Sequence, residues 1–303
     1  MRSNGPIMVG VNGSAGSTAA VAWAARSAAL HHARLHLVHV LDPTADYGPG
    51  ITEPLTGTDY ARLEEYGRWV LDTAREQART VVRALRDIDI TAEVAHQAVG
   101  PALLDRTVGA RMMAVGTRER GTVRRALLGS VSAVLARRAH CPVVVVRDAT
   151  PIAAEARWLP IVVGVDGTEV SAPAIESALV EASVRGVRLL ALHAWTGVEL
   201  PAVPGGEVDP AKQIVLAESL AGWQERFPDV EIQREIVTDR PEHYLLERSA
   251  HAQLLVVGCR GRGGFASLLR GSTSQALLIS VDCPIMIVRD VHAVRGPERV
   301  LAE

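Results

Sequence analysis

IVVGVDGTEVSAPAIESALVEASVRGVRLLALHAWT (Ile161–Thr196) aligns without a gap to IMVGVNGSAGSTAAVAWAARSAALHHARLHLVHVLD (Ile7–Asp42), at an offset of 154 with 12 of 36 positions identical. A second pair, Gly258–Asp290 and Gly116–Asp148, aligns at an offset of 142 with 14 of 33 identical. Self-similarity over such lengths means that the chain is a duplicated unit. The offset falls because the first copy has extra residues, placed by composition within Pro43–Asp59, a Gly-, Pro- and Thr-rich stretch that reads as a lid-like loop. The expected domains are 1–148 and 161–290, joined by a linker over 149–160.

Inside each copy the hydrophobic period alternates. Ile7–Val11 and Ile161–Val165 are short apolar runs that read as buried strands, followed by a glycine turn and Ala-rich helices over Ser17–His31 and Ser171–Arg185. Leu35–Val40 and Leu189–Ala194 are second strands, and longer helices are expected over Tyr60–Leu85 and Ala211–Arg226. Then come strands near Ile90–Ala95 and Glu231–Ile236, helices behind Pro101 and Pro241, strands Met112–Val115 and Leu254–Val257, a last helix, and final strands Pro142–Val146 and Pro284–Val288. Continuous apolar strands alternating with helices predict an α/β fold with a parallel sheet covered on both faces. A ligand would sit beyond the carboxyl ends of the strands, at the topological switch point.

Composition narrows the function. The chain has 303 residues, is 48% hydrophobic and carries a formal net charge of −2, which offers no electrostatic footprint for nucleic acid or an anionic membrane. No apolar run approaches a membrane span, and Met1–Pro6 leads into no apolar signal segment, so a cytoplasmic protein is expected. Cys141, Cys259 and Cys283 form no metal-ligand spacing and read as free thiols.

The chemistry is carried by the loop after the fourth strand of the second copy. Gly258, Gly261, Gly271 and Ser272 follow Gly-x2-Gly-x9-Gly-Ser. Glycines allow positive φ and close backbone approach to a phosphate, and Ser272 at a helix start would cap it while its free N–H groups face an anion. Arg118, Arg120, Arg260 and Arg262 flank the loops and are candidates for phosphate pairing.

With Val163–Gly167 (VGVDG) and Cys283–Val288 (CPIMIV), this loop resembles the ATP-binding members of the universal stress protein family, and the resemblance covers both copies. It implies two tandem Rossmann-like domains, each a five-stranded parallel sheet flanked by helices. It also implies antiparallel pairing of the last strands, hence an intramolecular pseudo-dimer and, between chains, a homodimer. Residue by residue it places ATP contacts in the second copy at Gly164, Val165, Asp166, Ala194, Val257, Gly258, Arg260, Gly261, Gly263, Gly271, Ser272, Thr273 and Ser274. In the first copy the corresponding positions are Gly10, Val11, Asn12, Val40, Val115, Gly116, Arg118, Gly129, Ser130, Val131 and Ser132. That copy departs from the pattern, with Asn12 in place of Asp166, Glu119 in place of Gly261 and Thr122 in place of Gly264, so the second site is expected to be the stronger.

The implied ligand is ATP, with Mg or Mn held through its phosphates rather than by protein ligands, and the implied role is a nucleotide-responsive regulator of stress or dormancy acting on a protein partner that the sequence does not name. Two other readings stay open. One is an ATP-hydrolysing or adenylyl-transfer enzyme of a related fold, for which no catalytic residue is evident; the P-loop Gly-Lys-Ser/Thr and the first-strand GxGxxG are both missing. The other is a nucleotide-free scaffold. His39 and His193, at matching positions, read as hydrogen-bonded core histidines, and Cys141 and Cys283 as small buried apolar groups.

Overall fold

The computed structural model describes residues 4–42, 56–117, 130–147, 157–195, 210–238, 241–259 and 281–289. In the first copy, β1 (Ile7–Gly10) is followed by α1 (Ala15–His31), β2 (Leu35–Leu41), α2 (Gly57–Arg83), β3 (Ile90–His96), α3 (Val99–Asp105), β4 (Met112–Gly116), α4 (Ser130–Arg138) and β5 (Val143–Val146). Helix α1 starts two residues earlier than its apolar pattern suggests because Ser14 caps it, its Oγ accepting from the Ser17 N–H at 3.2 Å. Its fully buried Ala20, Ala24 and Ala28 let it lie close on the sheet. The loop expected over Pro43–Asp59 falls mostly outside the described residues; its end is helical, since Thr56 and Asp59 form a reciprocal capping box that opens α2. Pro101 lies inside the first turn of α3, where a missing N–H costs nothing, rather than ahead of the helix.

The second copy runs β6 (Ile161–Val165), α5 (Ala172–Arg185), β7 (Leu189–Trp195), α6 (Pro210–Ser219), α7 (Trp223–Arg226), β8 (Ile232–Thr238), α8 (Pro241–Ser249), β9 (Leu254–Gly258) and β10 (Ile285–Val288). Two expectations need correction. The single helix over Ala211–Arg226 is broken: Gly222 takes a left-handed φ of 73° and separates α6 from α7. The helix expected from Ser171 is preceded by a 3₁₀ turn, Glu169–Ser171, where the first copy is already α-helical. Val170 stands at the position of Gly16, and Gly16 packs so tightly on the Thr117 backbone that no side chain fits. A valine there therefore requires a different path.

The ten strands of the described residues form one sheet in the order β3-β2-β1-β4-β5-β10-β9-β6-β7-β8. Each half is parallel throughout, and the halves meet where β5 and β10 run antiparallel, with Val143, Val144 and Val145 facing Ile287, Met286 and Ile285. This is the junction that the resemblance implies. Alternate residues go to opposite faces: Val144 and Met286 join the core under α1, α2 and α5, while Val145 and Ile285 join the core under α3, α4 and α8. Arg147 donates to the Val281 carbonyl at 3.1 Å and Arg289 to the Ala139 carbonyl at 3.4 Å, a reciprocal pair about the local two-fold.

Candidate nucleotide site

The strand order reverses between β1 and β4 in the first half and between β6 and β9 in the second, and a crevice is expected above the carboxyl edge at such a point. In the first half that crevice is a pocket of about 290 Å³. Val11, Val38, Val40, Val99, Leu103 and Val115 make an apolar slot, and Asn12, Ser14, Ser17, Thr117, Ser130 and Ser132 make a polar wall. Every described residue on which the sequence places a first-copy contact (Gly10, Val11, Asn12, Val40, Val115, Gly116, Ser130, Val131, Ser132) lines this one pocket. Arg118 and Gly129, with Arg120, Glu119 and Thr122, lie outside the described residues.

In the second half, Gly164 and Val165 end β6, Ala194 stands on β7, and Val257 and Gly258 end β9, with Asp166 just after β6. Arg260, Gly261, Gly263, Gly271, Ser272, Thr273 and Ser274, as well as Arg262 and Gly264, lie outside the described residues.

A positive φ, one of the two reasons expected for glycines at the strand ends, does not apply to them. Neither Gly116 nor Gly258 takes a positive φ; Gly13 and Gly167 do, each at 77°. A methyl on Gly116 would run into the backbone of Gly16 and Ser17, so the residue lets α1 close on β4 and shapes the back wall of the pocket. Gly67 is similar: an added Cβ would stand 2.8 Å from the His39 ring.

The turns after β1 and β6 are locked by their own side chains. Asn12 Oδ1 accepts from the Ser14 N–H at 3.2 Å and from the Ser14 hydroxyl at 2.7 Å. Asp166 Oδ1 accepts from the Thr168 N–H at 3.0 Å, from the Thr168 hydroxyl at 2.7 Å and from the Ser171 hydroxyl. The histidines repeat the symmetry: His39 Nδ1 meets the Val11 carbonyl and His193 Nδ1 the Val165 carbonyl, both at 2.8 Å, so each Nδ1 carries the proton. Both rings are buried and tie strand 2 to the end of strand 1.

Sequence reasoning did not place Ser14, Ser17, Val38, Tyr66, Val99, Leu103 or Thr117 in the site. The Ser-x-x-Ser cap and the i, i+4 pair Val99/Leu103 were readable signals; Tyr66, half exposed on α2 beside Gly13, had none. Apart from His39, the described lining holds no ionisable group except the Tyr66 phenol. Among the described residues no three His, Cys, Asp or Glu side chains gather as a metal site. Burial pushes the Cys141 and Cys283 thiols up to about 12, which suits packing rather than chemistry.

A doubled, parallel α/β unit with a topological switch point in each half defines a class of tandem Rossmann-like protein. The sequence pattern of the universal stress protein family matches residues 4–147 and again 158–289, and the chain belongs to that family. It is 40% identical over 286 residues to the universal stress protein Rv2005c of Mycobacterium tuberculosis, covering 93% of this chain and 96% of that protein. A universal stress protein of Mycolicibacterium smegmatis matches at the same identity and coverage. The crystal structure of a universal stress protein from Archaeoglobus fulgidus superimposes with a TM-score of 0.70 over 95% of this chain and 99% of its own, at 17% identity, a likeness of fold. Among the described residues, no helix is long and apolar enough to cross a membrane.

Proposed function

We propose that this chain binds adenine nucleotide, ATP first, at the switch-point crevice of each half, and acts as a nucleotide-responsive regulator of a stress response. The observation that carries the reading is the first-half pocket: about 290 Å³ of space is lined by apolar side chains on one hand and by hydroxyls at the start of α4 on the other. A base in the slot of Val38, Val40, Val99 and Leu103 would set the ribose over Gly10–Asn12 and the phosphates toward Thr117, Ser130 and Ser132. A divalent ion would ride on the phosphates.

Calorimetric titration with ATP tests this. Saturable heat below millimolar ligand, with the second half binding about tenfold more tightly if Glu119 repels phosphate in the first, is the expected result. Glu119→Gly should then tighten the weaker site. A folded protein that gives no heat at millimolar ATP would leave the scaffold reading standing.

A further inference from the structure

The turns after β1 and β6, over which the proposed function sets the ribose, differ in charge and in hydrogen-bond polarity. Because the backbone N–H of Ser14 must meet an acceptor, the atom of Asn12 that it meets is Oδ1. The amide nitrogen Nδ2 is therefore the atom that Asn12 has to offer a ligand, and it only donates. One turn on, Ala15 is exposed and uncharged. Position for position, the second half has carboxylates at both places, Asp166 and Glu169. The third neighbour differs as well: the Tyr66 hydroxyl lies 3.2 Å from the place of a Gly13 Cβ, whereas Val215 stands against Gly167. The same turn thus presents two neutral donors in one half and two negative charges in the other.

We propose that the first-half pocket is specific for an adenine nucleotide bearing a phosphate monoester on its ribose 2′- or 3′-oxygen, while the second half takes nucleotides with free ribose hydroxyls. The inference rests on the reading of the pocket as a nucleotide site. A ribose hydroxyl can donate to a carboxylate, so Asp166 suits it; a ribose phosphate has only acceptors and negative charge, so Asp166 and Glu169 repel it. Asn12 Nδ2 and Tyr66 Oη meet those acceptors.

The full chain is titrated with ADP, with adenosine 3′,5′-bisphosphate and with adenosine 2′,5′-bisphosphate, which share base and phosphate count. Expected is one site for a bisphosphate, the better of the two isomers naming the ribose oxygen. The bisphosphate-to-ADP affinity ratio should fall about tenfold or more in Asn12→Asp, a nearly isosteric change that adds one charge beside the ligand. Ala15→Glu should lower bisphosphate affinity with ADP binding left in place. Conversely, Asp166→Asn combined with Glu169→Ala should create a second bisphosphate site. If ADP binds and neither bisphosphate does, or if Asn12→Asp weakens ADP and bisphosphate alike, the specificity is wrong and the nucleotide site stands. If no nucleotide binds the folded chain, both fall together.

Discussion

Gly116 lines the first-half pocket, and positive φ is not the reason that a glycine stands there. Its spacing marks it as part of a phosphate loop, and positive φ is the usual reason for a glycine there. Its actual constraint is the backbone of Gly16, which occupies the space a Cβ would need. Gly116→Ala must therefore push α1 away from β4, an overpacking cost of about 1–3 kcal/mol. We expect a lower urea midpoint and, where the protein still folds, loss of first-half nucleotide binding, read by denaturation and calorimetry on the same sample. An unchanged midpoint would show that α1 can retreat freely. The pocket-lining residues Gly10, Val11, Asn12, Val115 and Gly116 were legible because the family resemblance marks their counterparts in the second copy and the repeat carries those positions to the first. Tyr66 was not, because α2 follows the stretch where the two copies lose alignment, and nothing local ties a tyrosine on a helix to a turn near residue 13.

At the level of elements, most strands and helices were legible from period and repeat, and the departures come from interactions that a linear reading does not weigh. The second half loses its long helix at Gly222, where a left-handed residue ends one helix and α7 restarts for a single turn. The 3₁₀ entry to α5 follows from a contact between Gly16 and Thr117 that Val170 cannot copy. The β5–β10 pair is short but continuous with both cores, so it joins the halves through apolar packing as well as ladder bonds. Cleavage at a protease site inserted within 150–155 should therefore leave two halves that co-elute on size exclusion. Val144→Asp, which sets a carboxylate in the buried face opposite Met286, should separate them. Cleaved wild-type halves that elute singly would mean that the linker, not the strand pair, holds the molecule together.

Across the whole molecule the halves are also pinned by a buried polar cluster that pairing of strands alone does not require. His31 Nε2 on α1 meets Glu181 Oε1 on α5 at 2.7 Å, and Arg185 reaches Glu181 at 2.9 Å and the Ser27 hydroxyl at 3.0 Å, with its guanidinium 5.5 Å over the Trp23 ring. Ser27 and His31 correspond through the repeat to Glu181 and Arg185, so two equivalent i, i+4 pairs face each other across the local two-fold with different residues. Burial on its own would push the Glu181 carboxyl up; the Arg185 charge and the contact with His31 outweigh it and hold the group down at about 2, against a usual 4.5. A depressed carboxylate stabilises the fold fully above its unfolded value, and that contribution is lost as pH falls from about 4.5 toward 2. A shift of this size corresponds to roughly 3 kcal/mol. Glu181→Gln removes it and leaves Arg185 buried without its counter-charge, which typically costs about 3–5 kcal/mol. The variant should therefore be less stable than wild type at pH 7, with the gap shrinking steadily below pH 4.5 as the wild-type group takes up its proton. Urea unfolding followed by Trp23-sensitive fluorescence at several pH values reads both quantities. Parallel curves for the two proteins down to acid pH would show that Glu181 carries no folding-linked proton, and the cluster would then be a packing feature rather than an electrostatic clasp between the halves.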